Sequence, residues 1–290
     1  MIRHYIYILL LLFSSTTFSQ SIDKNENSKE LKLIISISSF HNAKTEDAQA
    51  LAEILSNHIK KSKKLNYTFL VETPSTLDEI SRSLSTDFDC VILTTDEYIS
   101  LSNKFPLDPF ATNLTSKNVG YNYHLIVNKD DNISDITQLK NETIYVLARD
   151  NQKAPYLWLD KILAEKKLSN NKKFFKNIVT DYKATNVLFP VFFRKAKACV
   201  VTDASLNLMV ELNPAIKNNI KILQTSDRFL LGLVALNKKK RNTELYNLLS
   251  EIILTLHENE YGKQLLSLFN ADGLTRYKEE YLQNYIKLNK

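Results

Sequence analysis

Two segments some hundred residues apart carry one arrangement of polar side chains. In FDCVILTTDEY, Phe88 to Tyr98, a cysteine opens a β-branched run that ends in threonine and aspartate, and in KACVVTDASL, Lys197 to Leu206, the same order returns. Hydroxyls and carboxylates at such a position suit the recognition of a polar molecule. A strand end that leads into a helix also offers unpaired backbone N–H groups and the positive end of a helix dipole. Other apolar runs end in comparable groups: Ser38 and Phe40, Arg149 and Asn151, Tyr182 and Thr185. The candidate ligand-binding set is therefore Ser38, Phe40, Thr94, Thr95, Tyr98, Arg149, Asn151, Tyr182, Thr185, Thr202 and Asp203.

Each member has a structural alternative. Thr45, Thr95 and Thr202 suit helix N-caps, Arg149 suits an ion pair with Asp150, and Tyr98 and Tyr182 suit packing at a cleft edge. Phe192, Phe193 and Trp158 read as core. The functional reading rests on convergence of the set.

Catalytic constellations are missing. The five histidines are dispersed, neither Cys90 nor Cys199 has a partner at metal-ligand spacing, and four glycines form no phosphate-cradling loop. No G-x-S-x-G elbow exists, and paired acids such as Asp87 with Asp89 read as surface charge. No metal, no cofactor and no catalysis are expected.

The elements that must position these groups follow an α/β pattern. LKLIISIS at 31–38, Tyr67 to Val71 and Cys90 to Leu93 read as buried strands. Between them, Thr45 opens a helix whose Ala48, Leu51, Leu55 and Ile59 share a face, and Thr76 with Glu79 forms a capping box. Strand, helix, strand, helix, strand implies a parallel sheet with right-handed crossovers. The pattern restarts with strands at 121–127, 143–147 and 178–180, a helix over 154–168, a helix near 187–196 that Pro190 delays or kinks, and a strand at 199–201. The repeated segment thus marks equivalent positions in two lobes. The last part reads as three helices, 244–257, 261–269 and 274–286, which return to the first lobe.

Arg3 and His4 precede an apolar run from Tyr5 to Phe13 and the small polar stretch SSTTFSQ, the pattern of a secretory signal peptide cleaved near Ser19 or Gln20. The run falls short of the roughly 20 apolar residues needed to span a bilayer. The net charge of +6 is spread over scattered basic clusters without interleaved aromatics, which argues against a nucleic-acid groove and leaves an acidic small ligand open. Both cysteines read as separate buried thiols.

LKLIISISSF, FDCVILTTDEY, PLDPFA, the strand YNYHLIVNKD with ISDITQLKNETIYVLA, and above all TNVLFPVFFRKAKACVVTDASLNLMVELNP resemble the periplasmic phosphate/phosphonate-binding proteins of ABC transporters over residues 31–270. The resemblance implies a two-lobed type II periplasmic-binding-protein fold. Each lobe would be a mainly parallel sheet flanked by helices, with 21–120 and 226–290 as lobe I, 121–225 as lobe II, and the C-terminal helices on lobe I. It also implies that Asp203 is the pocket acid that pairs with a ligand amine, with Tyr98 the next carry-over. One departure stands out: the family's hydroxyl-rich turn after the strand matched by TIYVLA is replaced by ARDNQKAP, so an anion there would be held by Arg149.

The expectation is an exported, monomeric solute-binding protein that closes on a small polar ligand, an anion among the candidates, for an ABC permease. A receptor partner of a membrane sensor kinase, and an enzyme of the same fold, are the alternatives.

Overall fold

The structure, a computed structural model, describes residues 29–40, 57, 67–149, 152–258 and 260–288. The leader, the expected helix that Thr45 opens, and Asn151 lie outside the described residues.

The strands are β1 (Lys29–Ile35), β2 (Tyr67–Glu72), β3 (Cys90–Thr94), β4 (Leu107–Thr115), β5 (Asn118–Val119), β6 (Tyr123–Asn128), β7 (Thr143–Leu147), β8 (Asn177–Asp181), β9 (Ala198–Thr202), β10 (Ile220–Thr225), β11 (Gly232–Asn237) and β12 (Gly273–Arg276). The helices are α1 (Leu77–Leu84), α2 (Thr95–Leu101), α3 (Ala154–Glu165), α4 (Asn171–Phe174), α5 (Ala184–Phe192), α6 (Asp203–Leu212), α7 (Ala215–Asn219), α8 (Glu244–Thr255), α9 (Glu260–Leu268) and α10 (Glu280–Leu288). Two sheets result, one ordered β12-β4-β11-β3-β1-β2 with β5 on β4, the other β10-β6-β9-β7-β8.

Among the described residues, parallel pairing is confined to β2-β1-β3 in one sheet and β8-β7-β9 in the other. The expectation of mainly parallel sheets stops there, because β4, β11 and β12 in the first sheet and β6 and β10 in the second pair antiparallel. Of these, β4 and β10 precede the crossings and β6 and β11 follow them, while β12 adds to the edge of the first sheet. The middle strands are buried on both faces, and side chains alternate between them. In the second sheet Leu125, Val127 and Val200 face Trp158, Leu159 and Ile162 of α3, while Ile126, Cys199 and Val201 face Val187, Leu188 and Val191 of α5.

Local signals fix several helix starts. Thr76 and Glu79 close the expected capping box, with Glu79 N–H to Thr76 Oγ1 at 3.2 Å and Thr76 N–H to Glu79 Oε2 at 3.2 Å. Helix α5 begins at Ala184 and carries Pro190 inside it, earlier than expected. Proline removes one donor. Burial of Val187, Leu188 and Val191 outweighs that loss, and the helix ends two residues later, where Lys195 and Ala196 N–H both bond the Pro190 carbonyl.

The C-terminal part departs further from expectation. Residues 273–276 form β12 on β4, and only then does α10 begin. Helix α8 packs on the first sheet through Leu249. Helix α10 instead buries Leu282 and Tyr285 in the second sheet's core, beside Tyr123, Trp158 and Phe229, while Tyr277 and Tyr281 touch the core of the first. It straddles both cores.

The chain passes between sheets after Val119 and returns between Thr225 and Gly232. The two crossings pair with each other: Tyr121 N–H meets Phe229 O at 3.0 Å and Phe229 N–H meets Tyr121 O at 2.9 Å. Gly120 makes that approach feasible. It sits at φ +71°, and an added Cβ would lie 2.5 Å from Phe229 O.

Candidate ligand-binding cleft

Between the sheets lies a cavity of about 180 Å³ reached from the strand-to-helix turns of both. The first sheet contributes Ser38, Ser39, Phe40 and Thr94; the second contributes Arg149, Gln152, Tyr182, Thr202 and Ser205. Six of the sequence-expected residues, Ser38, Phe40, Thr94, Arg149, Tyr182 and Thr202, thus line one cavity.

The two threonine turns are built alike. Thr94 caps α2, accepting from Glu97 N–H at 3.3 Å, and Thr202 caps α6, accepting from Ser205 N–H at 3.2 Å. Their third helical residues differ. Glu97 is buried and returns its carboxylate to Thr94 N–H at 2.8 Å, while its other oxygen accepts from Ser36 Oγ at 2.7 Å. Ser205 carries only a hydroxyl, 2.9 Å from Thr202 Oγ1, and it faces the cavity.

Thr95, Tyr98, Thr185 and Asp203 do not line the cavity. Thr95 is buried, with its hydroxyl donating to Leu230 O at 2.6 Å and its N–H to Leu231 O at 3.0 Å. Tyr98 is half-buried between the two cores, and burial pushes its phenol up from the ordinary range. Thr185 is exposed in the first turn of α5. Asp203 pairs with Arg228 at 2.8 Å and accepts from Asn122 N–H at 3.3 Å and Ala204 N–H at 3.0 Å. Arg228 also donates to Gly120 O at 2.7 Å. The residue following each capping threonine therefore ties its helix to a crossing segment.

Asp96, the next residue in α2, reaches between the sheets. Its carboxylate accepts from Lys153 N–H, at the start of α3, at 3.1 Å and from the Tyr285 hydroxyl of α10. A carboxylate at a helix N-terminus satisfies an orphan donor and the helix dipole together. Lys153 lacks a capping side chain, so Asp96 supplies one from the other half of the molecule.

On the second-sheet side, Arg149 N–H bonds Gln152 Oε1 at 3.1 Å, and the guanidinium lies 5.6 Å from the centre of the Tyr182 ring. Stacking on an aromatic face helps to orient a guanidinium. Asp181 beside it is turned away: Asn186 Nδ2 at 2.9 Å and Lys183 N–H at 2.7 Å hold its carboxyl below the usual range.

The profile of the family described as "ABC transporter, phosphonate, periplasmic substrate-binding protein" matches residues 36–282. The chain belongs to that family. It is a solute-binding protein of the ABC-transporter kind, and the family is periplasmic. No curated protein matches the chain. Among solved structures, a protein from Xanthomonas citri bound to ATP matches with a TM-score of 0.66 at 13% identity, covering 90% of this chain and 96% of the other. PhnD1 from Prochlorococcus marinus in complex with methylphosphonate matches with a TM-score of 0.62 at 15% identity, covering 91% and 98%. A binding-protein component of an ABC phosphonate transporter from Pseudomonas aeruginosa matches with a TM-score of 0.61 at 13% identity, covering 91% and 86%. These likenesses establish the type II binding-protein fold.

In this family member several lining residues escape sequence reasoning. Ser205 carries a signal, standing three residues after Thr202 at the first turn of α6. Asn113, Tyr121 and Asn270 carry none, because β4, a crossing and the end of α9 meet only in three dimensions. Tyr121 Oη lies 2.7 Å from Thr115 Oγ1 and 3.2 Å from Asn270 Nδ2. Among the described residues no group of three or more His, Cys, Asp or Glu could hold a metal ion, and no helix is long and apolar enough to cross a membrane. Cys90 and Cys199 are free and buried in separate sheets, and burial pushes the Cys90 thiol up to about 12.

Proposed function

We propose that this cleft binds a small phosphonate-like anion and closes around it for delivery to an ABC permease. The observation that supports the reading is the convergence of Arg149, Thr202 and Ser205 on one cavity that Ser38, Ser39 and Thr94 line from the opposite sheet. A guanidinium and hydroxyl donors at a helix N-terminus recognise tetrahedral anions through charge-assisted hydrogen bonds. The carboxylate of Glu97 already occupies the matching position on the first sheet. The anion therefore belongs on the second-sheet side, with Ser38 and Ser39 added when the lobes close. Closure follows from contacts made to both halves only in the closed state. The cavity of about 180 Å³ suits a small anion better than a nucleotide.

In this reading lobe I comprises 21–120 and 226–290, lobe II comprises 121–225, the paired crossings act as the hinge, and the protein works as an exported monomer after cleavage near Ser19 or Gln20. No covalent chemistry is assigned to the cleft. Isothermal titration calorimetry with methylphosphonate, phosphate, methanesulfonate and ATP tests the reading. Saturable binding of a small tetrahedral anion, weakened about a hundredfold in Arg149→Ala, is expected. Absence of anion binding, or affinity indifferent to Arg149, would overturn it.

A further inference from the structure

The cavity lining falls into two chemical groups, taken in the proposal as its polar and apolar ends. Arg149, Thr202, Ser205 and Ser38 are polar; Leu256, Leu265, Leu266, Phe269 and Leu274, all from the segment that runs from the end of α8 through α9 to β12, are apolar. Phe40 joins the apolar end and stacks on Phe269, with ring centroids 4.9 Å apart and planes at 24°. Inorganic phosphate or methylphosphonate would satisfy the polar end and leave the apolar walls uncovered. Water gains little there, because it needs two to four polar partners, and an apolar cavity of about 150 Å³ in another protein stays dry and accepts benzene.

We propose that the preferred ligand is an amphiphilic anion: a phosphonate or sulfonate head bearing an alkyl or aryl tail of about six carbons. The head meets Arg149 and the hydroxyls, and the tail enters between Phe269, Leu266 and Leu274. This inference rests on the anion-binding reading above and adds the class of molecule that reading leaves open. It also accounts for the composition of the C-terminal part. Leu265 and Leu266 are buried in α9, yet both border the cavity as well as the core.

Calorimetric titration of the full chain with methyl-, n-propyl-, n-hexyl- and phenylphosphonate, alongside inorganic phosphate, tests it. Each methylene should tighten binding about fourfold over the first few carbons, so that hexylphosphonate exceeds methylphosphonate by more than a hundredfold. Ala271, which lines the apolar end, offers a filling variant. In Ala271→Leu the slope of log Kd against carbon number should fall toward zero. Equal or weaker binding of hexylphosphonate relative to methylphosphonate in the unaltered protein would overturn the inference and leave the anion reading standing. Failure of every anion to bind would remove both. Because the unaltered chain alone supplies the series, the test stands even if Ala271→Leu does not fold.

Discussion

The two threonine turns use one backbone solution for opposite electrostatic ends. Thr94 and Thr202 adopt similar angles, φ −68°, ψ 161° and φ −79°, ψ 154°, and each caps the helix that follows. In the first turn the protein supplies its own anion, the buried carboxylate of Glu97, which satisfies Thr94 N–H and Ser36 Oγ. In the second turn the same helical position is Ser205, whose hydroxyl accepts from Thr202 Oγ1 at 2.9 Å and borders the cavity. The lesson is that an echoed motif can keep its fold-building role in both copies while the side chain at the third helical position differs, a buried carboxylate in one and a hydroxyl at the cavity in the other.

The largest effect expected from breaking this comparison is on stability. Glu97→Ala leaves a buried hydroxyl and a buried N–H without partners, so about 3 kcal/mol of stability should be lost, read by urea denaturation. Ser205→Ala should cost under about 1 kcal/mol while weakening phosphonate binding. A Glu97→Ala protein as stable as the parent would show that the two turns do not differ in this way. Next in size is Gly120→Ala at the paired crossings. Its positive φ and the contact with Phe229 O should cost more than about 1 kcal/mol.

Asp203→Asn sharpens the comparison of the residues after each cap. Breaking its pair with Arg228, which is partly exposed, should lower stability by about 1 kcal/mol and change ligand affinity less than Arg149→Ala does. A complete loss of binding with unchanged stability would restore Asp203 as a ligand contact. Asp96→Asn probes a tie that crosses between the sheets. It should shift the lobes toward a more open arrangement, seen as a larger radius of gyration by small-angle X-ray scattering. An unchanged radius would separate Asp96 from the closing equilibrium.

The smallest expected effect is electrostatic. Asp135, which caps the 3-10 turn Ile136–Leu139, is held down to about 2 by its hydrogen bonds from Lys166 and Thr137. A carboxyl lowered in the folded state stabilises above its unfolded pKa, near 3.8, and loses that contribution as pH falls toward 2. Asp135→Asn should therefore narrow the difference between stabilities measured at pH 5 and pH 2.5. An acid limb identical to the parent's would contradict that assignment.

Much of this architecture is legible in the sequence where the signal is local. The β-branched runs at Cys90 and Cys199, the capping box at Thr76 and the amphipathic spacing around Trp158 identify β3, β9, α1 and α3 without long-range information. The strands β4, β11 and β12 are harder. Pro109 in β4 argues against a strand, and it is accommodated where the register between β4 and β11 shifts. The four residues of β12 are too few to display a period, and the tyrosines that follow at helical spacing extend the apparent helix over them.

The site divides in the same manner. The hydroxyl-bearing turns are visible as turns, but which threonine caps and which is tied inward depends on partners far along the chain. Thr95 answers to Leu230, and Asp203 answers to Arg228. Such pairings carry no sequence period. The apolar end of the cavity is equally hidden, because Leu265, Leu266 and Phe269 read as ordinary core.

The most direct test of the account is a crystal structure of the protein with phenylphosphonate. The phosphonate oxygens should lie within hydrogen-bonding reach of Arg149, Thr202 and Ser205, with the ring directed toward Phe269. A phosphonate seated against Thr94 and Asp96 instead, or outside the cleft altogether, would contradict it.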